Sequence, residues 1–95
     1  PPFNFCTMIE FIEHLPAESA ERLFDKLAMV MSPDGLLVIT TPISRTTTGL
    51  NPENRFHAHE WQPGELKGAL SARWNDISIF EIGQFSMAVV CKGLI

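Results

Sequence analysis

The chain has 95 residues, 45% of them hydrophobic and 19% charged, with a formal net charge of -4. That length holds one domain at most, and so short a chain buries too little surface to be more than marginally stable. The apolar content excludes a disordered tail, no apolar run is long enough to cross a bilayer, and the scarcity of Lys and Arg makes RNA a partner disfavoured by charge.

No basic segment followed by an apolar core and cleavage site marks a signal peptide, and a chain that opens on Pro1-Pro2 rather than Met is expected to be a fragment. Phe3 to Met8 is an apolar run that predicts a buried strand ending near Ile9. Pro16 suits a first helical turn, and Ala20, Leu23, Phe24, Leu27, Val30 and Met31 recur at helical spacing among Glu21, Arg22, Asp25 and Lys26. This predicts an amphipathic helix from about residue 17 to 31. Ser32-Pro33-Asp34-Gly35 carries tight-turn chemistry, and Leu36-Leu37-Val38-Ile39-Thr40 predicts a central strand covered on both faces.

Residues 43 to 60 have no sustained period and predict a long loop, which in a compact domain is often functional. Pro63 opens a second helix with Leu66, Ala69 and Leu70 on its apolar face, ending near Arg73. Trp74 to Ile82 and Phe85 to Lys92, punctuated by Gly83-Gln84, predict a closing antiparallel hairpin. The order is β-α-β-α-β-β, an α/β arrangement with a right-handed crossover between its first, parallel strands. Cys6 and Cys91 both lie in apolar runs and read as reduced core cysteines, which favours a cytoplasmic location.

This order resembles the C-terminal half of class I S-adenosylmethionine-dependent methyltransferases, a Rossmann-like fold. The resemblance is carried by Ile9-Glu10-Phe11-Ile12-Glu13-His14-Leu15 after the first strand, Ser32-Pro33-Asp34-Gly35 before the second, Thr41-Pro42 after it, and Arg55-Phe56-His57-Ala58-His59-Glu60-Trp61 before the second helix. These match the family's E-x-x-E-H-L segment, its L-x-P-G-G turn, the T-P that ends its fifth strand, and an H-x-x-E-W-like segment; Asp34 stands where the family usually has Gly. The resemblance covers nearly the whole chain, making residues 1–95 a partial domain from strand four onward. It implies a last strand inserted antiparallel between the fifth and sixth. The Gly-rich turn after strand one and the acidic residue ending strand two, which cradle the cofactor, have no counterpart here. The resemblance thus implies a missing N-terminal half, and association with that half or with a second copy through an exposed sheet edge.

Glu10, Glu13 and His14 lie at i, i+3 and i+4, so one helical turn would cluster them at the carboxyl end of the sheet, where open α/β sheets bind ligands. Two carboxylates and an imidazole suit Mg²⁺, Mn²⁺ or a later transition metal. In the small-RNA 3'-end 2'-O-methyltransferases that the segment resembles, such a set is completed by a His four residues before a Trp. His57 stands in that relation to Trp61, and His59 is the alternative; ubiquinone-type O-methyltransferases have a similar E-x-x-E-H segment. The candidate metal ligands are therefore Glu10, Glu13, His14 and His57. Glu13 and His14 are the catalytic candidates, with His14 as a general base, and Ile9 and Glu10 are the cofactor-facing candidates. Against this, many methyltransferases carry E-H-L without a metal, the residues then shaping the pocket or capping the next helix.

Trp61 and Trp74 read as core, as do Met8, Met29 and Met31. Arg45 and Thr46-Thr47-Thr48 either touch substrate from the loop or are solvated. The functional expectation is the acceptor-side part of a methyltransferase, with S-adenosylmethionine as cofactor, a small-molecule or ribose hydroxyl as acceptor, and no membrane. The alternative is a non-catalytic relic that oligomerises or binds another protein. A dehydrogenase half, the third reading, finds no nicotinamide-site feature.

Overall fold

The computed structural model describes residues 2–46 and 48–95, so Pro1 and Thr47 lie outside the described residues. Its elements are β1 (Phe3–Ile9), a 3-10 turn (Ile12–His14), α1 (Ala17–Val30), β2 (Met31–Pro42), α2 (Pro63–Ser71), β3 (Trp74–Ile82) and β4 (Ser86–Leu94). They form a four-stranded sheet in the order β1-β2-β4-β3. β1 and β2 run parallel, with Thr7 opposite Val38, and β4 is antiparallel to both β2 and β3, pairing Val89 with Ile39 and Ile79. The last strand is therefore inserted between its predecessors, as the resemblance implied.

Pro16 is the N-cap of α1, its backbone still extended at ψ 153°, and the helix ends where Met31 turns extended. Its Ala20 and Phe24 are fully buried. α2 is fixed by a reciprocal cap: the Gln62 side chain takes the N–H of Glu65, whose carboxylate takes the N–H of Gln62, with Pro63 next in line. Both helices join one core with Leu37, Ile39, Met87, Val89 and Cys91 of the central strands and with Trp61 and Trp74. Removing each such aliphatic side chain from water contributes about 1.5–3 kcal/mol. Burial also pushes the Cys91 thiol up to about 12, so it stays a protonated, inert core residue.

The structure departs from expectation on the other side of the sheet. The apolar runs predict that β1 is buried and β2 covered on both faces. Only Met8 of β1 is buried, and Phe5, Ile9, Leu36, Phe80 and Ile82 are all at least 36% exposed. Phe5 pairs directly with Leu36, and residues paired across a sheet share a face. The two helices occupy one face, and nothing among the described residues packs on the second. The outer edge of β1 is likewise unpaired among them.

Ser32 to Gly35 is not a tight turn. These residues lie within β2 as an irregularity, the register passing from Phe3 opposite Met31 to Phe5 opposite Leu36. The glycine is required by close approach, since a β-carbon at Gly35 would stand 3.0 Å from the Asn4 carbonyl oxygen. The Ser32 hydroxyl closes the bulge by donating to Asn4 Oδ1 at 2.6 Å. Met29 is a second correction: it is 84% exposed, because it lies off the core face of α1, whereas Met8 and Met31 are buried. No helix is long and apolar enough to cross a membrane.

Candidate functional site

Parallel pairing of β1 and β2 brings their carboxyl ends side by side, with Ile9 opposite Thr40. Ile9 is 68% exposed there. Glu10 then adopts φ +50°, a left-handed conformation that costs a non-glycine residue free energy, and its N–H donates to the Thr40 carbonyl at 2.9 Å. This kink stops the strand and starts the 3-10 turn that carries Glu13 and His14. The turn tips Glu13 inward, only 1% exposed, and leaves the His14 side chain 45% exposed.

Buried carboxylates need partners. Glu13 Oε1 accepts from the Thr41 hydroxyl at 3.0 Å, and its Oε2 lies 3.7 Å from His14 Nε2. The other ring nitrogen of His14 is 2.9 Å from the Phe56 carbonyl oxygen, which can only accept, so Nδ1 carries a proton and Nε2 is the nitrogen that holds the lone pair of the neutral ring. Thr41 is itself fully buried. Thr41→Val, which removes that donor while keeping the shape, is expected to destabilise the fold by about 1–3 kcal/mol in urea unfolding, with Thr41→Ser close to the parent. Equal stability of Thr41→Val and the parent would show that this bond does not support Glu13.

The loop after β2 folds back over the turn. Ile43 bridges to Trp61, the Ser44 N–H donates to the Trp61 carbonyl at 2.9 Å, and the His59 N–H donates to the Glu13 carbonyl at 3.1 Å. This places His57 edge-on to His14, ring centroids 5.0 Å apart. Glu13, His14 and His57 can each offer a ligand atom with all three atoms within 4.8 Å of one another. Glu10 lies outside that group but within its field. Its carboxyl is raised above the usual carboxylate range by partial burial and by the charge of Glu13, opposed by His57, the Thr40 hydroxyl and His14.

His59 is held elsewhere, its Nε2 2.8 Å from Glu65 Oε2 and its ring edge-on to Trp61. Of the two histidines left open by the sequence, the structure brings His57 to the group. Gly49, with φ +77°, packs so closely on the His59 ring that a β-carbon there would overlap it. Beside His57 an open cleft of about 610 Å³ is lined by Thr46, Thr48, Asn51 and Arg55 with the apolar Leu50 and Pro52. Arg45 instead stacks over Phe85, 3.9 Å from the ring centre.

The sequence reading missed Thr41, Asn51, Asn54 and Glu60. Asn51 and Asn54 each cap a loop N–H two residues on, those of Glu53 and Phe56, a local pattern that the spacing does carry. Glu60 is 4% exposed and lies three residues after His57, a spacing that is legible but is absorbed into the family motif.

No protein-family model and no characterised protein sequence matches the chain. Solved structures do. A SAM-dependent methyltransferase from Methanosarcina mazei superposes with a TM-score of 0.71 at 16% identity, over 98% of this chain and 60% of that one. DhpI in its complex with SAH gives 0.74 at 18%, over 97% and 48%. The Pnkp1/Rnl/Hen1 RNA repair complex gives 0.65 at 24%, over 97% and 23%. The chain thus has the fold of part of a SAM-dependent methyltransferase, as its sequence resembled, and it spans less than two thirds of the length of each of these structures.

Proposed function

We propose that this chain is the acceptor-side part of an S-adenosylmethionine-dependent methyltransferase that methylates an oxygen of a small molecule or a ribose. The observation that carries this reading is the convergence of Glu13, His14 and His57 at the carboxyl end of a methyltransferase-type sheet. S-adenosylmethionine, when bound, would supply an electrophilic methyl group to an acceptor oxygen and leave as the thioether. Rate then comes from alignment and from removing the hydroxyl proton. His14 is suited to take that proton, because it is half-exposed and the Phe56 carbonyl on its Nδ1 makes Nε2 the accepting nitrogen of the neutral ring. The buried Glu13 beside it would stabilise the imidazolium formed when Nε2 takes the proton.

A nearly buried carboxylate with two imidazoles is also a donor set for Mn²⁺ or Mg²⁺, with Mn²⁺ the better match for nitrogen. Glu13, His14 and His57 would hold such an ion, with Glu10 outside that group. When bound it would lower the pKa of a hydroxyl placed against it. Ile9 and Glu10, exposed at the end of β1, are the residues assigned to the cofactor. The apolar open face and the free edge of β1 are assigned to an N-terminal half or, in the non-catalytic reading, to a second copy.

Calorimetric titration tests the assignment. The chain is expected to bind Mn²⁺ without cofactor, to lose this in the Glu13→Ala/His57→Ala double variant, and to show no micromolar affinity for S-adenosylmethionine. Metal binding that survives the double variant would remove the ligand set. Micromolar cofactor binding by this chain would overturn its assignment to the acceptor side alone.

A further inference from the structure

We infer that Glu60 is a positioning residue that fixes His57 as its Nδ1–H tautomer, so that Nε2 is the atom by which His57 joins Glu13 and His14. His57 Nδ1 lies 2.6 Å from Glu60 Oε2, and both side chains are largely buried, 15% and 6% exposed. An ionised carboxylate can only accept, so Nδ1 is the donor. The opposite nitrogen gives the same answer independently. His57 Nε2 lies 3.2 Å from Asn54 Nδ2, and the orientation of that amide is set by its other end, because Asn54 Oδ1 accepts the Phe56 N–H at 3.1 Å. An amide NH₂ can only donate, so Nε2 is the acceptor.

Glu60 is held in turn. Asn51 Nδ2 donates to the same Oε2 at 2.9 Å, with the Asn51 amide oriented by the Glu53 N–H on its Oδ1, and the Glu60 N–H donates to the Gly49 carbonyl at 2.7 Å. The loop from Asn51 to Glu60 is thereby a cradle for one imidazole in one tautomer. His14 reaches the same state by another route, through the Phe56 carbonyl on its Nδ1. Two different devices leave Nε2 as the unprotonated nitrogen of both neutral rings, the form in which an imidazole ligates a cation or accepts a proton; on His57 either would displace the Asn54 amide from Nε2. A carboxylate behind a ligating histidine orients the ring and raises its basicity.

The tautomer itself is independent of any metal; only its consequence for binding rests on the ligand set proposed above. The test is the long-range ¹H–¹⁵N imidazole spectrum of the ¹⁵N-labelled chain at mildly alkaline pH, where imidazoles are neutral. His57 is expected to carry its proton on Nδ1 in the parent and in Asn54→Ala, and to shift toward the Nε2–H form in Glu60→Gln. A parent His57 protonated on Nε2, or an unchanged tautomer in a folded Glu60→Gln chain, overturns the inference, and the parent spectrum decides even where the variant does not fold. Titration of the same samples with Co²⁺ separates the two readings. Glu60→Gln is expected to bind about 10–100-fold more weakly than the parent. Equal affinities would overturn the positioning role, whereas a parent that takes no Co²⁺ removes the metal reading and leaves the inference to the tautomer result.

Discussion

Trp61→Ala is expected to be the most destabilising single change outside the strands, lowering unfolding free energy by about 3–5 kcal/mol. Trp61 is 2% exposed and packs its ring 6.2 Å from that of Phe24 on α1 and 4.8 Å from that of His59. Its backbone also carries the bridge to Ile43 and accepts from the Ser44 N–H, so it ties the far end of the loop to the point where the loop leaves β2. Domains of this size have about 5–15 kcal/mol of stability in total, so the loss would bring a marginal chain close to unfolding. Trp61→Phe is expected to cost less, because the indole Nε1 it removes is buried without a hydrogen-bond partner. Urea unfolding of the two variants checks the order. A Trp61→Ala chain within experimental error of the parent would mean that the loop is anchored by something other than this ring.

Glu13→Gln is expected to separate stability from function. Gln keeps an oxygen to accept from the Thr41 hydroxyl, now at 3.0 Å from Glu13 Oε1, while removing a charge that is almost wholly withdrawn from water. Burying a carboxylate without a fully satisfying partner is costly, so thermal stability should hold or rise. Mn²⁺ affinity should fall by about a hundredfold or more, since a lost ligand costs no less than a lost supporting contact. Differential scanning calorimetry with and without Mn²⁺ reads both quantities. A variant that melts well below the parent yet binds Mn²⁺ as tightly would make Glu13 a structural acid and not a ligand.

The parts of this molecule that are readable in its sequence are those where periodicity and local chemistry agree. Ala20, Phe24, Leu66 and Leu70 announce the core faces of both helices, and the apolar runs around Gly83-Gln84 announce the hairpin. Phe5 and Leu36 mislead because an apolar strand residue has the same composition whether its face is covered or open. Ser32-Pro33-Asp34-Gly35 misleads because Pro and Gly serve a bulge as well as a turn; the deciding contact is with Asn4, at the other end of the β-α-β unit. In the site, Glu13, His14 and His57 are legible as a set. What holds them is not, since the Thr41 bond to Glu13 and the Asn51 bond to Glu60 link residues whose separation carries no period.

The strand order β1-β2-β4-β3 also sets a timetable. β4 is made after the three other strands, yet it occupies the gap between β2 and β3 and supplies Met87, Val89 and Cys91 to the core. During synthesis β2 must wait with one side unpaired until β4 leaves the ribosome, and β3 has no neighbour in the sheet until its hairpin closes. Folding of this sheet is therefore gated by the emergence of β4. A nascent chain stalled before Ser86 would hold the Glu13 turn and the His57 loop over a β1–β2 pair that is not yet joined to β3.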